Sequence, residues 1–254
     1  MPLDTLTLYA FLLVFLRCSA MLLSSPLFGS QGTPVQIRIM ATLALSGAFV
    51  AVVRPEIGSI PTNLAALALA CGGEIASGLL VGATITMVLQ AAAMAGAILD
   101  LEMGLGISQV LNPATGIPVT ILSELKFMLA TVVFFCANGH HTMILAVLNS
   151  YKAAPSLSMA SLPGIEHGLV ALLGGVTLVA IQIAAPVLAV GVVVDAALGL
   201  INKAVPQIQV FLLGAPAKVI LGLMAVCVCL PAITSAVTVC VDQAFSFLGH
   251  AFGM

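Results

Sequence analysis

From about Asn63 to Leu99 the chain is apolar, with Glu74 as the one charged side chain in the run. A helix needs only about 20 such residues to cross the hydrocarbon of a bilayer, so this segment exceeds a single crossing. Shorter apolar runs recur on both sides of it. The composition says the same: 6% of the 254 residues are charged, seven Lys or Arg and nine Asp or Glu, where a soluble domain carries about 25%. So few polar side chains cannot cover a soluble globule. Disorder requires the opposite balance, low hydrophobicity with high net charge. The formal net charge of −2, with no basic block, also excludes a nucleic-acid binder, which needs a Lys/Arg stripe to displace counterions. The class is integral membrane protein.

The length accommodates about six apolar helices joined by short loops, with no room for a separate soluble domain, so one membrane domain is expected over 1–254. The first run, 5–25, follows Asp4 and contains Arg17. A signal peptide would want positive charge first and a small-residue cleavage site after, so this run is expected to stay as a membrane helix. The six cysteines show no C-x2-C pairing and read as small buried hydrophobes rather than ligands or disulfides.

Charges and prolines suggest the boundaries. Pro26 to Pro34 reads as a loop, and Arg38 and Arg54 bracket a run, 39–53, that is short for a span. Asp100 and Glu102 close the long run. A Gly- and Pro-bearing stretch, 103–118, separates it from the apolar run 119–137, which ends in Asn138-Gly139-His140-His141. Residues 168–194 are free of charge with Pro186 inside, 195–216 reads as a polar-spotted connection, and 217–241 holds Pro231. Interior prolines should kink or break their helices. Broken helices at membrane depth need protein, not lipid, over the exposed backbone, so protein partners are expected around the chain. Loop lysines and arginines favour an outside N-terminus by the positive-inside rule.

Few residues invite chemistry. Glu74, Gly78 and Gly82 are spaced by four and share one helix face. The glycines allow close backbone approach, as in small-xxx-small packing, and a carboxylate in the membrane needs a partner or a wet cavity. Glu74 therefore reads either as a protonated or hydrogen-bonded group at a helix–helix contact or as a proton or cation site. Asp100 and Glu102 diverge on a helix and cannot share a site; they mark its wet end. His140 and His141 face apart with no third ligand nearby, which suits a loop at the membrane boundary rather than a metal site. No P-loop, H-E-x-x-H or G-x-S-x-G occurs, and the G-x-G at Gly104 and Gly106 lacks the third glycine. No catalytic residue, cofactor site or metal site is assigned, and no enzyme activity is expected. Residues 195–205 read as an amphipathic helix ended by Pro206, either interfacial on the bilayer or a seam against partner subunits or a polar passage.

Several motifs follow one another in order: P-L-F-G…P-x-x-x-R (Pro26, Gly29, Pro34, Arg38); E-x-x-x-G-x-x-x-G (Glu74, Gly78, Gly82); Gly96 and Met103-Gly104; Asn112-Pro113 with Gly116; N-G-H-H…S-Y…P over 138–155. The last and most specific is L-G-L-I-N-K-A-V-P-Q-I-Q-V-F-L-L-G-A-P-A-K over 198–218, with Gly199, Lys203, Pro206, Gln207, Phe211, Gly214, Pro216 and Lys218. In this order and spacing, over about 200 residues, the chain resembles the FliR/SctT family of type III export-gate proteins. Asn112, Lys203 and Gln209 stand where the family often has Asp, Arg and Asn. The N-G-H-H…S-Y and P-Q-I-x-V-F stretches resemble the flagellar branch more than the injectisome one.

The resemblance implies an all-α polytopic membrane protein, several of its helices kinked or hairpin-forming, packed in a helical export-gate assembly. It implies a place in the bacterial inner membrane at the flagellar basal body, with no cofactor. The implied partners are FliP and FliQ in several copies each, FliB-type and FlhB/FlhA export-apparatus proteins, and unfolded flagellar proteins in transit. It also implies that the loop 104–118, with Gly104, Gly106, Asn112, Pro113, Gly116 and Pro118, acts as a plug in the pore. The alternatives are an injectisome gate subunit, or a self-contained secondary transporter coupled through Glu74.

Overall fold

The computed structural model describes residues 4–29, 33–53, 60–105, 121–153, 165–205 and 210–252. Among them the secondary structure is entirely helical: α1 (Thr5–Ser24), α2 (Pro26–Gly29), α3 (Val35–Val53), α4 (Leu64–Glu102), α5 (Ile121–Cys136), α6 (Gly139–Ala153), α7 (Ile165–Ala204) and α8 (Val210–Phe252). Five of these, α1, α3, α4, α7 and α8, are long and apolar enough to cross a membrane, and α5 with α6 would make a sixth span. The chain is thus a polytopic all-α membrane protein.

Helix boundaries depart from the charge-based reading at α3, α7 and α2, at His140 and His141, which lie in α6 and not in a loop, and at α8, which begins at Val210 and continues past Asp242. The helix α3 begins at Val35, so Arg38 lies within it and the segment reaches full span length. The helix α7 runs 40 residues to Ala204 without a break at Asp195, so the amphipathic helix expected from 195 is present but continues the preceding span instead of lying in a separate connection. A single helical turn, α2, occupies part of the expected loop at 26–34. A charge ends a span only if it meets the hydrocarbon, and side chains near a helix end can reach past it to water.

Pro186 and Pro231 lie inside continuous helices, as does Pro216. Each deprives the carbonyl four residues earlier of its helical donor, at Gln182 and Cys227 for the first two. Polar side chains in the spans mostly fold back on their own helix: Thr42 donates to the Arg38 carbonyl, Ser46 to Thr42 and Thr84 to Leu80, at 2.6–2.7 Å. This local bonding lets a hydroxyl sit in an apolar span without an orphaned donor.

The packing gathers in two compact units, residues 1–88, 135–174 and 241–254 in the first and 89–134 and 175–240 in the second. In the first, α1 packs on α3 and its buried face, including Leu13, Val14, Cys18 and Met21, meets a core that also holds Val81, Ile85, Val147 and Tyr151. The second buries Ala92, Ala95, Leu99, Leu122, Phe134, Ile183 and Val187. Large apolar side chains such as Leu69, Met128 and Val228 remain exposed, the surface expected where lipid or other subunits replace water. All six cysteines are free; Cys18 and Cys240 are buried as expected, but Cys136 and Cys227 are exposed.

Candidate functional site

In the first unit, Glu74 sits on α4 one turn ahead of Gly78 and two ahead of Gly82. A Cβ on Gly78 would run into the Arg17 carbonyl of α1, and one on Gly82 into the Ser24 hydroxyl and the Met21 carbonyl. The glycines thus bring the two backbones into direct contact, and Thr86 bonds the Ser24 carbonyl at 2.5 Å. That approach sets Arg17 against Glu74. The guanidinium donates through Nε and Nη2 to the two carboxylate oxygens at 2.6 and 3.1 Å, and through Nη1 to the Ser150 hydroxyl at 2.7 Å.

Tyr151 completes the cluster from α6, donating its hydroxyl to Glu74 at 2.9 Å while Arg17 lies over its ring at 3.7 Å. Ser150 in turn donates to the Val147 carbonyl. All four residues are at most 1% exposed. Two opposite charges are therefore desolvated together, with further bonds to Ser150 and Tyr151 that support the pair as a buried ion pair requires. The paired-contact reading of Glu74 matches this geometry. The sequence assigns Arg17, Ser150 and Tyr151 no site role, although Ser150 and Tyr151 are the S-Y of the 138–155 motif and Arg17 and Glu74 are lone opposite charges in separate apolar runs.

In the second unit, the end of α4 carries a different cluster. Asp100 is buried and accepts from the backbone N–H groups of Leu122 and Ser123, at 3.1 Å each, capping α5 from another helix. Gly96 makes room for this: a Cβ there would strike the Ser123 backbone. The helix stops at Gly104, which adopts φ 71°; its N–H bonds the Leu101 carbonyl, and the Leu105 N–H bonds the Asp100 carbonyl. That is a Schellman stop with glycine in its left-handed position.

Glu102 points elsewhere, as its spacing from Asp100 requires. Its side chain fits beside Gly191 of α7, and Met103 fits beside Gly222 of α8. Lys218 joins them, bonding Asp195 at 2.6–2.7 Å and lying 4.0 Å from the Glu102 carboxylate.

The remaining positions are dispersed. Gly29 ends α2 and Arg38 is half-buried in α3, while Gly199 and Lys203 are exposed on α7. Gly214 is buried against Leu198, and Pro216 is exposed. Pro26 and Phe211 lie on helical backbone. Gly106, Asn112, Pro113, Gly116, Pro118, Pro206 and Gln207 lie outside the described residues. Asn138, at φ 56°, makes the turn between α5 and α6, a conformation asparagine tolerates better than most residues. His140 stands beside the Phe135 ring, and among the described residues no three His, Cys, Asp or Glu side chains gather as a metal site.

Comparison with known proteins agrees with this architecture. The family model described as bacterial export proteins, family 1, matches residues 8–244. The chain is 28% identical to the flagellar biosynthetic protein FliR of Caulobacter vibrioides, over 85% of this chain and 86% of that one. It is 29% identical to FliR of Bacillus subtilis, over 88% and 87%. The Yop proteins translocation protein T of Yersinia pestis is 29% identical over 85% and 83%. The order of motifs, the apolar helices and a family match over nearly the whole length place this chain in the FliR/SctT family of bacterial export proteins.

Proposed function

We propose that this chain is a subunit of a flagellar type III protein export gate, assembling with FliP and FliQ into the channel through which flagellar proteins cross the inner membrane. The carrying observation is a family match over residues 8–244 joined to FliR relatives that cover most of both chains. FlhA, FlhB and FliB-type proteins are the further apparatus components it would meet. The loop 104–118 is the candidate plug; Gly104 and Leu105 are its described residues, and they follow Glu102, whose carboxylate lies 4.0 Å from Lys218.

The Glu74 carboxylate is occupied by Arg17 and Tyr151, which supports a packing role over ion coupling. The test is the native mass of the tagged chain in mild detergent after co-expression with its operon neighbours. One heavy particle with a single copy of this chain and several of two other hydrophobic proteins supports the gate. A stable particle of this chain alone counts against it and promotes a transporter. In that assembly, deletion of 106–116 should make the closed gate leak ions; an unchanged leak removes the plug assignment. The Yersinia relative supports a second reading, an injectisome gate subunit, and the neighbouring genes, flagellar or virulence-type, separate the two.

A further inference from the structure

Among the described residues, four charged side chains are buried: Arg17, Glu74, Asp100 and Lys126. The first three have their partners in this chain, the ion pair with its tyrosine and serine for Arg17 and Glu74, and two backbone N–H groups for Asp100. Lys126 is different. It is 1% exposed, on the inward stripe of α5 between Leu122 and Ala130, and among the described residues its Nζ meets no hydrogen-bond acceptor. No carboxylate of the described residues forms an ion pair with it, and Glu124, two residues away, is exposed on α5.

An ammonium held out of water without an anion is strongly unfavourable, and the chain shows at Glu74 how fully it satisfies a charge that it buries for itself. Lys126 lies five residues into α5, about 8 Å from its start at 1.5 Å per residue. Helical side chains lean toward the N-terminus of their helix, which in α5 is the end that Asp100 caps.

We propose that Lys126 is a docking point for a carboxylate presented by another membrane subunit of the export apparatus, so that the ion pair forms only on assembly. This rests on the export-gate reading in taking such subunits to be present. The pair couples α5 to the neighbour, and the cost of the unpaired charge makes the lone chain the less stable form.

The test compares Lys126→Met, close in length without the charge, with Lys126→Arg. Each full-length chain is co-expressed with FliP and FliQ, and the heavy complex is quantified by native mass; the thermal midpoint of the same chain purified alone is measured in the same detergent. Lys126→Met should lower complex recovery about tenfold, the effect of losing some 1.4 kcal/mol of association free energy, while leaving the midpoint of the lone chain unchanged or higher. Lys126→Arg should assemble. Normal assembly of Lys126→Met overturns the proposal, as does equal loss with Arg, which assigns the effect to shape. A lower midpoint for Lys126→Met alone overturns it in favour of packing within the chain. Loss of a bound anionic phospholipid with assembly unchanged gives the ammonium to a lipid phosphate and overturns it too. Failure of the wild-type chain to recruit either subunit refutes the export-gate reading itself, a separate result.

Discussion

Arg17 grips both carboxylate oxygens of Glu74 across 57 positions of sequence, with neither side chain open to solvent. Removing one partner leaves the other charged and buried, at a cost of roughly 3–5 kcal/mol, whereas replacing both by apolar groups of similar volume is close to neutral. Arg17→Met and Glu74→Leu should therefore each lower the thermal midpoint of the purified chain strongly, and the double variant should recover most of the loss. A double-mutant cycle on detergent-solubilised protein reads the coupling directly.

Glu74→Gln separates packing from ion coupling. The amide keeps the size of the side chain and an oxygen for Arg17, but loses the charge and sets an NH2 where the carboxylate accepted two bonds. Stability should fall by up to about 3–5 kcal/mol, because Arg17 is left buried without a counter-charge. Secretion of flagellar subunits should fall only in proportion to the assembled gate remaining. Measured export per assembled complex should match the wild type; a selective loss of export at normal assembly would return Glu74 to a coupling role.

The paired face of Glu74, Gly78 and Gly82 is legible in sequence because one helix displays it at a fixed period. The partner is not, because Arg17 meets Glu74 through a contact between helices far apart in the chain, which leaves no local spacing to read. The same holds for Asp100: its two-residue offset from Glu102 shows that the pair must diverge, but not that one side chain caps α5 while the other turns toward Lys218. Helix ends are misjudged where charge stands in for structure. Arg38 and Asp195 interrupt an apolar run on paper, yet both continue their helices. Gly104 carries its meaning in sequence as a non-helical residue after an acidic helix end, and its left-handed φ gives that a form.

Glycine substitutions should sort by what their Cβ meets. At Gly78 and Gly96 a methyl group strikes the backbone of a neighbouring helix, which cannot yield, so Gly78→Ala and Gly96→Ala should each cost about 1–3 kcal/mol. At Gly222 it meets the flexible end of Met103, and Gly222→Ala should cost less. Gly72 faces nothing within 4 Å, so Gly72→Ala should be neutral or stabilise the helix by up to about 1 kcal/mol. Thermal unfolding of the four variants in one detergent checks the order; equal effects at Gly72 and Gly78 would refute the close approach of α1 and α4.

The Lys218 cluster should behave unlike the Arg17 one. The Asp195 side chain is 51% exposed, and an ion pair in contact with water contributes about 0–1 kcal/mol and weakens with salt. Lys218→Gln should thus change the midpoint of the lone chain little, with the small difference vanishing at high ionic strength. A large, salt-independent loss would mean that Lys218 is held in a far drier setting than its exposure indicates.

Asp100 gives the sharpest conservative comparison. Its carboxylate accepts from two N–H groups that the first turn of α5 leaves without helical partners, at Leu122 and Ser123. Asp100→Ala orphans both donors and should cost about 0.5–2 kcal/mol, the range for losing a helix cap. Asp100→Asn keeps one carbonyl oxygen as an acceptor, so it should retain part of that amount. Amide exchange at Leu122 and Ser123, followed by mass spectrometry of peptides from α5, should quicken in the order wild type, Asn, Ala. Exchange at the far end of α5, near Phe134, should stay unchanged if the effect is confined to the capped turn. Faster exchange along all of α5 would instead show that Asp100 holds the whole helix in place against α4.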